Sequence, residues 1–139
     1  MKMRAEDCIF FQLAKSAQTG SRFWSQKVAA LNVTATQAMV LRFLLDRDEV
    51  NSSELGSRTE LDSATLTGIL DRLEAAGIIE RRPNPTDRRA IHIHLTEKGR
   101  GAAKEIARLM GVANAEFLGG LNPSEEKELR RLLDKIREK

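Results

Sequence analysis

Apolar residues recur at helical spacing through the first third of the chain and predict two helices there. The segment from about Asp7 to Leu31 carries a broad apolar stripe, so we expect one long helix, bent near Gly20. A second helix follows, with Thr34 or Thr36 as its N-cap. Its run 39–45 is apolar on nearly every side, which is typical of a helix buried at the centre of a domain.

Two shorter helices are predicted from capping signals in the middle of the chain. The segment 51–54, Asn-Ser-Ser-Glu, has the spacing of a capping box and predicts a helix over about 53–58. Asp62 then caps a fourth helix that runs to Ala76, and Gly77 ends it because glycine tolerates a positive φ. This fourth helix has an apolar face that should be anchored in the core, formed by Leu66, Ile69, Leu70 and Leu73.

The pattern then changes from helical to alternating. Strands over 78–82 and 90–95, joined by a turn with two prolines, predict a β-hairpin. In the second strand we expect the apolar residues to face the core and the histidines to face outward: Ile91, Ile93 and Leu95 inward, His92 and His94 outward. Two further helices follow, capped by Thr96 and Asn122.

The fourth helix has the side chains that a DNA major groove admits. The groove is about 12 Å wide and accepts one α-helix, provided that the outward side chains are short and the opposite face is anchored. The candidate DNA-facing residues on this helix are Ser63, Ala64, Thr65, Thr67, Gly68 and Arg72. A short helix, a turn, this helix and a hairpin follow the order of a winged helix-turn-helix. The predicted fold class is therefore mostly α, with a small β-hairpin wing and flanking dimerisation helices.

Positive charge is concentrated on the predicted hairpin. The net charge of the chain is +3, and residues 81–89 alone hold four arginines against one acid, so 4 − 1 = +3. The candidate DNA-contacting residues of the wing are Arg81, Arg82, Arg88 and Arg89. Together with a pI near 9.3, this cluster favours a polyanionic partner, double-stranded DNA, over a merely solvated hairpin.

Length and composition narrow the class of protein further. The 139 residues suffice for one domain, no apolar run approaches the roughly 20 residues that span a bilayer, and no signal-peptide layout opens the chain. We therefore expect a cytoplasmic protein without a membrane partner. Since no phosphate-binding loop, nucleophile elbow or Cys/His dyad is recognisable, we expect no enzyme and no cofactor. His92 and His94 lack the nearby Cys, Asp or Glu that would complete a metal site.

Several short motifs, taken in their order and spacing, resemble the MarR family of bacterial transcriptional regulators. They are residues 61–74 (LDSATLTGILDRLE), 77–79 (GII), 87–89 (DRR) and 95–99 (LTEKG). Residues 61–74 look most like the organic-hydroperoxide repressor branch. The resemblance implies that Asp87 and Arg89 form the family's wing signature and that Asp62 pairs with Arg89. It leaves Arg88 or Arg81 as the residue freer to contact DNA.

The segments that flank the winged helix-turn-helix predict a homodimer. The DNA-binding lobe spans 35–96, and the helices in 1–34 and 97–139 carry apolar stripes wider than so small a lobe covers. The resemblance likewise implies dimerisation through these helices. Two recognition helices about 34–36 Å apart match a pseudo-palindromic operator. We expect the dimer to repress transcription by occupying this operator. The alternative from another class is a winged-helix protein-interaction module without specific DNA binding.

Two features of the first helix are candidates for sensing a signal. Cys8 lies near the place of the peroxide-sensing cysteine in the hydroperoxide branch, but about two residues early, and the chain has no tyrosine to hydrogen-bond it. A cysteine without a sensing role is therefore favoured over a thiol-based peroxide sensor. Phe11, Phe23 and Trp24 could line a pocket for a small aromatic effector, although dimer packing explains them as well and is preferred.

Overall fold

The computed structural model describes residues 2–87 and 90–138 and is mostly helical with one two-stranded sheet. In chain order the elements are α1 Ile9–Val28, α2 Ala35–Asp46, α3 Ser52–Thr59, α4 Ser63–Ala75, β1 Ile79–Pro83, β2 Ile91–Leu95, α5 Glu97–Phe117 and α6 Pro123–Arg137. This confirms the predicted fold class. Arg88 and Arg89, which the sequence placed in the wing, lie outside the described residues.

Side-chain caps set most of the helix boundaries. Thr34, rather than Thr36, caps α2 in a full capping box, and Asn122 does the same for α6. At α3 only half of the predicted box forms. The Asn51 side chain accepts from the Glu54 N–H, but the Glu54 carboxylate accepts from the Asn51 side-chain amide at 3.3 Å instead of its backbone. One satisfied backbone donor is enough to start this short helix.

The first helix is uninterrupted at Gly20. A 3₁₀ turn flanks the helix on each side instead, at Ala5–Asp7 before it and at Ala29–Leu31 after it. Asn32 then adopts a left-handed conformation with φ 57°, which turns the chain towards α2. The predicted long helix is therefore confirmed in extent, and its α geometry ends at Val28.

The hydrophobic core lies where α2, α4, the hairpin and the first half of α5 meet. Its largest fully buried side chains include Leu41 and Leu44 of α2, Ile93 of β2 and Ile106 of α5. The predicted anchor face of α4 is buried throughout, at Leu66, Ile69, Leu70 and Leu73. Because this whole face packs into the core, the opposite edge of α4 is left at the surface.

The hairpin corrects the expected alternation of β2. The strands pair antiparallel from Ile79↔Leu95 to Pro83↔Ile91, and a bridge to Val50 adds a third chain segment beside Ile93. Ile91 is 51% exposed because it belongs to the last pair before the turn, beyond the reach of the core. The His94 side chain is only 14% exposed and faces Glu49, with 3.8 Å between Nδ1 and Oε1. The inward isoleucine and outward histidine predicted at these two positions are therefore wrong.

The two ends of the chain keep an apolar surface exposed. Large exposed hydrophobic side chains occur on the first half of α1, the end of α5 and along α6, among them Ile9, Phe10, Phe11, Val112, Phe117, Leu129, Leu132, Leu133 and Ile136. Within the described chain, no residue of α6 is buried. Taken singly, no described helix has the length and apolarity to cross a membrane; α1 with its 3₁₀ extension passes such a test only jointly with α2, across a 74° bend.

Candidate nucleic-acid interface

The start of α4 is fixed by the carboxylate of Asp62. Oδ1 accepts a hydrogen bond from the Thr65 N–H at 2.8 Å, and Oδ2 accepts one from the Thr65 hydroxyl at 2.7 Å. These bonds, the backbone one first, hold the pKa of Asp62 below its ordinary value. Asp62 is thus the N-cap that the sequence predicted, and its carboxylate also fixes the Thr65 side chain at the exposed end of the helix.

The predicted DNA-facing edge of α4 lies at the surface. Ser63, Ala64, Thr65, Thr67 and Arg72 are exposed, and Gly68 is half-buried. Apart from the adjacent residues and the backbone of its own helix, no atom of the described chain lies within 4 Å of the position that a Cβ on Gly68 would occupy. The edge is therefore short, uncharged as far as Gly68, and backed by a fully buried face, which is the shape that entry into a major groove requires.

The wing is joined to α4 by Arg81. Its Nη1 donates to Glu74 Oε1 at 3.0 Å and its Nη2 donates to Asp71 Oδ1 at 2.8 Å. Of the two residues expected to be freer to contact DNA, Arg88 and Arg81, Arg81 is thus held by two acids of α4. Arg82 also has an acidic partner, since its Nη2 lies 2.6 Å from Glu80 Oε2.

These ion pairs change the charge of the wing. The sum over residues 81–89 counted every arginine as available, whereas three carboxylates outside that stretch, on Asp71, Glu74 and Glu80, lie against two of them. Glu80 is adjacent in sequence and could have been counted. The other two are brought to Arg81 only by the packing of β1 on α4. The positive charge left for a polyanion is thus smaller on this side of the hairpin than the sequence indicated.

The hairpin turn is organised by Asn84. Its side-chain oxygen accepts from the Thr86 N–H and hydroxyl, and its amide nitrogen lies 3.2 Å from His92 Nε2. Asp87 donates its backbone N–H to the Asn84 carbonyl at 3.2 Å. The predicted pair between Asp62 and Arg89 falls on a residue outside the described range, and it stays a prediction.

One positioning residue was missed by the sequence reasoning. Asp48, in the turn between α2 and α3, accepts from the Leu95 N–H at 2.9 Å and from Arg100 Nη2 at 2.8 Å. It therefore ties the base of the wing and the start of α5 to the helix-turn-helix. Nothing in the local sequence identified it, because both partners are about fifty residues further along the chain.

A largely apolar cavity of about 480 Å³ opens between α1, α2, α5 and α6. Its lining includes the predicted Phe23 and Trp24 but not Phe11, which is exposed nearer the start of α1. The Phe23 and Phe117 rings lie 5.3 Å apart, and the Trp24 indole N–H donates to the Ala35 carbonyl at 3.3 Å. The cavity thus adjoins α2, which contributes Met39 to its lining.

Cys8 and the two histidines of β2 lie apart from this cavity. Cys8 is half-buried and occupies the N-cap position of α1 without a side-chain capping bond. The rings of His92 and His94 are 6.3 Å apart on the wing. Within residues 2–87 and 90–138, no group of three or more His, Cys, Asp or Glu side chains is arranged to hold a metal ion.

The helix-turn-helix, its exposed α4 edge and the hairpin beside it define a winged-helix DNA-binding regulator. Comparison with known proteins identifies the family to which this regulator belongs. The MarR family model matches residues 33–91, from just before α2 into β2. The regulator MgrA of Staphylococcus aureus is 34% identical over 128 residues, which cover 91% of this chain and 85% of MgrA. The chain belongs to the MarR family of transcriptional regulators, which are DNA-binding proteins rather than enzymes.

Solved structures agree with this assignment. A mutant MarR from E. coli in complex with operator DNA is 28% identical, with a TM-score of 0.86 and 98% and 99% of the two chains covered. BpsR of Bordetella bronchiseptica, described with regulation of its DNA binding by 6-hydroxynicotinic acid, is 26% identical. Its TM-score is 0.92, with 100% and 99% of the two chains covered.

Proposed function

We propose that two copies of this chain form a homodimer that binds a pseudo-palindromic operator and represses transcription by occupying it. The observation that carries this proposal is the α4 edge, whose short side chains project from a helix anchored by four buried residues. In each half-site this edge would lie in the major groove, and the hairpin would follow the phosphate backbone or the adjacent minor groove. Residues 35–96 would form the DNA-binding lobe, with 1–34 and 97–139 as the dimerisation region.

The exposed apolar surface supports the dimer. Exposed Leu132, Leu133 and Ile136 lie along one side of α6, and the exposed aromatic residues of α1 and α5 continue the apolar surface. A second copy would cover these side chains by twofold symmetry and would place two α4 helices on one face. One helical turn of DNA, about 34–36 Å, then sets the distance between the two recognition helices.

A matched pair of glycine substitutions tests DNA binding through α4. Gly68 in α4 and Gly101 in α5 are both helical. An added Cβ at either would meet no atom of the described chain within 4 Å beyond the adjacent residues and the backbone of its own helix. The parent protein is first used to select the duplexes that it binds from random DNA. Gly68→Glu should abolish binding of these selected duplexes, because it places a carboxylate in the major groove. Gly101→Glu should leave binding near that of the parent. Equal binding by both variants would contradict the proposal.

The salt dependence of binding distinguishes a DNA-binding dimer from a protein-interaction module. A dimer that contacts several phosphates should show a log–log slope of about −0.9 per contact. A protein-interaction module would select no duplex and show no such slope.

The dimer is tested by charge placed on α6. Leu133→Glu puts a carboxylate among the exposed apolar residues, whereas Lys127→Glu puts one on the opposite side of the same helix. We expect Leu133→Glu to shift the protein to a monomer in light scattering at micromolar concentration and to weaken operator binding. The control should remain a dimer. A monomeric parent that still binds the selected operator would contradict the dimer.

Release by a small molecule is the regulatory part of the proposal. The cavity beside α2 has aromatic walls, and a compound bound there could change the separation of the recognition helices through α1 and α2. BpsR, with its regulation by 6-hydroxynicotinic acid, supports an aromatic effector by similarity. This part of the proposal is tested by screening aromatic acids for release of the protein from the duplex it selects. If none of them causes release, aromatic acids are not the effector class.

Peroxide sensing through Cys8 is the second regulatory candidate. The resemblance of residues 61–74 to the organic-hydroperoxide branch favours it. Against it, Cys8 lies about two residues early for the sensing position of that branch, and the chain holds no tyrosine to hydrogen-bond the thiolate. We therefore assign Cys8 no sensing role.

A further inference from the structure

Arg81 links the recognition helix to the wing through three hydrogen bonds. Besides the two bonds from its guanidinium, the Arg81 backbone N–H donates to Glu74 Oε2 at 3.2 Å. Both oxygens of Glu74 are therefore engaged by one residue, and Asp71 Oδ1 accepts from the other end of the guanidinium. The Arg81 side chain is 24% exposed, which is the lowest exposure among the three partners.

The geometry of this cluster restrains how β1 can tilt against α4. Asp71 and Glu74 are three residues apart, so their carboxylates lie on the same side of the last turns of α4. The planar guanidinium spans both of them, and the backbone bond fixes the strand itself. In the described sheet β1 pairs with β2 along one side, so these bonds reach from its outer edge to α4.

The charges of the cluster argue against a direct role of Arg81 on phosphate. Two carboxylates surround one guanidinium, so the cluster carries a net charge of −1 at neutral pH. An arginine that contacts phosphate would have to release these acceptors and leave two acids beside the DNA backbone. We propose that Arg81 is a positioning residue, which sets the angle between wing and recognition helix through Asp71 and Glu74 and does not itself contact DNA. This inference rests on the proposed function.

Removal of the two acids distinguishes positioning from electrostatics by the sign of the effect. The variant Asp71→Ala/Glu74→Ala lowers the negative charge near the DNA and keeps strong helix formers in α4. If Arg81 positions the wing, affinity for the duplex selected from random DNA falls about tenfold, because both wings of a dimer are released. Affinity for a random-sequence duplex of the same length rises, because repulsion is reduced. If Arg81 acts by its charge, both affinities rise, which would overturn the inference.

The salt dependence gives an independent readout. Arg81→Ala should weaken binding of the selected duplex without changing the log–log salt slope. If Arg81 instead bound a phosphate in each protomer, its removal would reduce the slope by about 1.8, twice the value for one phosphate. Arg81→Ala should also add nothing to the double variant, since the three side chains act as one unit. Glu105→Ala is the matched control, because Glu105 pairs with Arg108 inside one helix and should leave the selected affinity unchanged.

Two further measurements keep the test decisive. If thermal unfolding shows that the double variant does not fold, Arg81→Lys replaces it, since lysine keeps the charge but cannot span two carboxylates. Loss of affinity at an unchanged slope then supports positioning, and retained affinity overturns it. A parent protein that selects no sequence from random DNA would refute the proposed function itself. If the parent does select a sequence and the double variant binds that sequence as tightly as the parent does, only the positioning role of Arg81 is refuted.

Discussion

Replacement of Gly99 by alanine should destabilise the protein more than its position on a helix suggests. Gly99 lies in the first turn of α5, where its N–H donates to the Thr96 hydroxyl at 3.0 Å. A Cβ at this position would lie 1.9 Å from the Ile78 carbonyl oxygen and 2.9 Å from its carbon. That carbonyl cannot turn away, because it accepts from both the N–H and the hydroxyl of Thr96 at 3.1 Å.

The size of the effect follows from these distances. Ordinary contact begins at 3.4 Å, so the oxygen is 3.4 − 1.9 = 1.5 Å too close and α5 must move away from the start of β1. Overpacking by one methyl group costs about 1–3 kcal/mol, and each disrupted hydrogen bond of Thr96 adds about 1 kcal/mol. We therefore expect the free energy of unfolding to fall by about 3 kcal/mol. The midpoint of thermal unfolding should fall on the order of 10 °C.

Gly101 provides the control two residues further along the same helix. Beyond the adjacent residues and the backbone of α5, no atom of the described chain lies within 4 Å of its added Cβ. Gly101→Ala should therefore stabilise the protein by about 0.5–1 kcal/mol through helix propensity. Urea unfolding followed by circular dichroism, at equal protein concentrations, measures both variants against the parent. A Gly99→Ala variant as stable as the parent would refute the close approach of α5 to Ile78.

Three further predictions concern the cap, the cysteine and the cavity. Asp62→Ala removes both acceptors of Thr65 and should destabilise the protein. Because the pKa of Asp62 is lowered in the folded state, the difference in free energy of unfolding between variant and parent is full above pH about 4. This difference shrinks as the pH falls through the folded pKa. Chemical denaturation from pH 7 to pH 2 measures it, and a pH-independent difference would contradict the linkage. Hydroperoxide should affect operator binding of Cys8→Ser and parent equally; release from the parent alone would establish a thiol sensor. An aromatic effector should quench the fluorescence of Trp24, the single tryptophan, and release without quenching would place its site elsewhere.

The sequence predicted the order of the helices in residues 35–96 well because the relevant signals are local. Caps act within three or four residues, which is why Asp62, Thr96 and Asn122 were found at the correct positions. The buried face of α4 follows from helical periodicity in the same way. The exposed edge of α4 is the complement of that face, so its residues could be named without a structure.

Prediction was weaker where exposure depends on the reach of the core. Alternation in β2 predicted equal burial for its two isoleucines, yet Ile93 is fully buried and Ile91 is half exposed. Periodicity specifies which side of a strand a residue takes, but not how far the neighbouring helices extend along the hairpin. The cavity shows the same limit, since Phe23 and Trp24 line it whereas Phe11 lies beyond its end.

By itself the sequence determined the order of the helices, their caps, the anchored face of α4 and the family of the protein, because each is encoded within a few neighbouring residues. Only the tertiary structure decided the partners of the charged side chains. Arg81 meets acids seven and ten residues earlier, and Asp48 meets Leu95 forty-seven residues later. Ion pairs and long-range hydrogen bonds depend on distances in space, which exist only once the elements have packed.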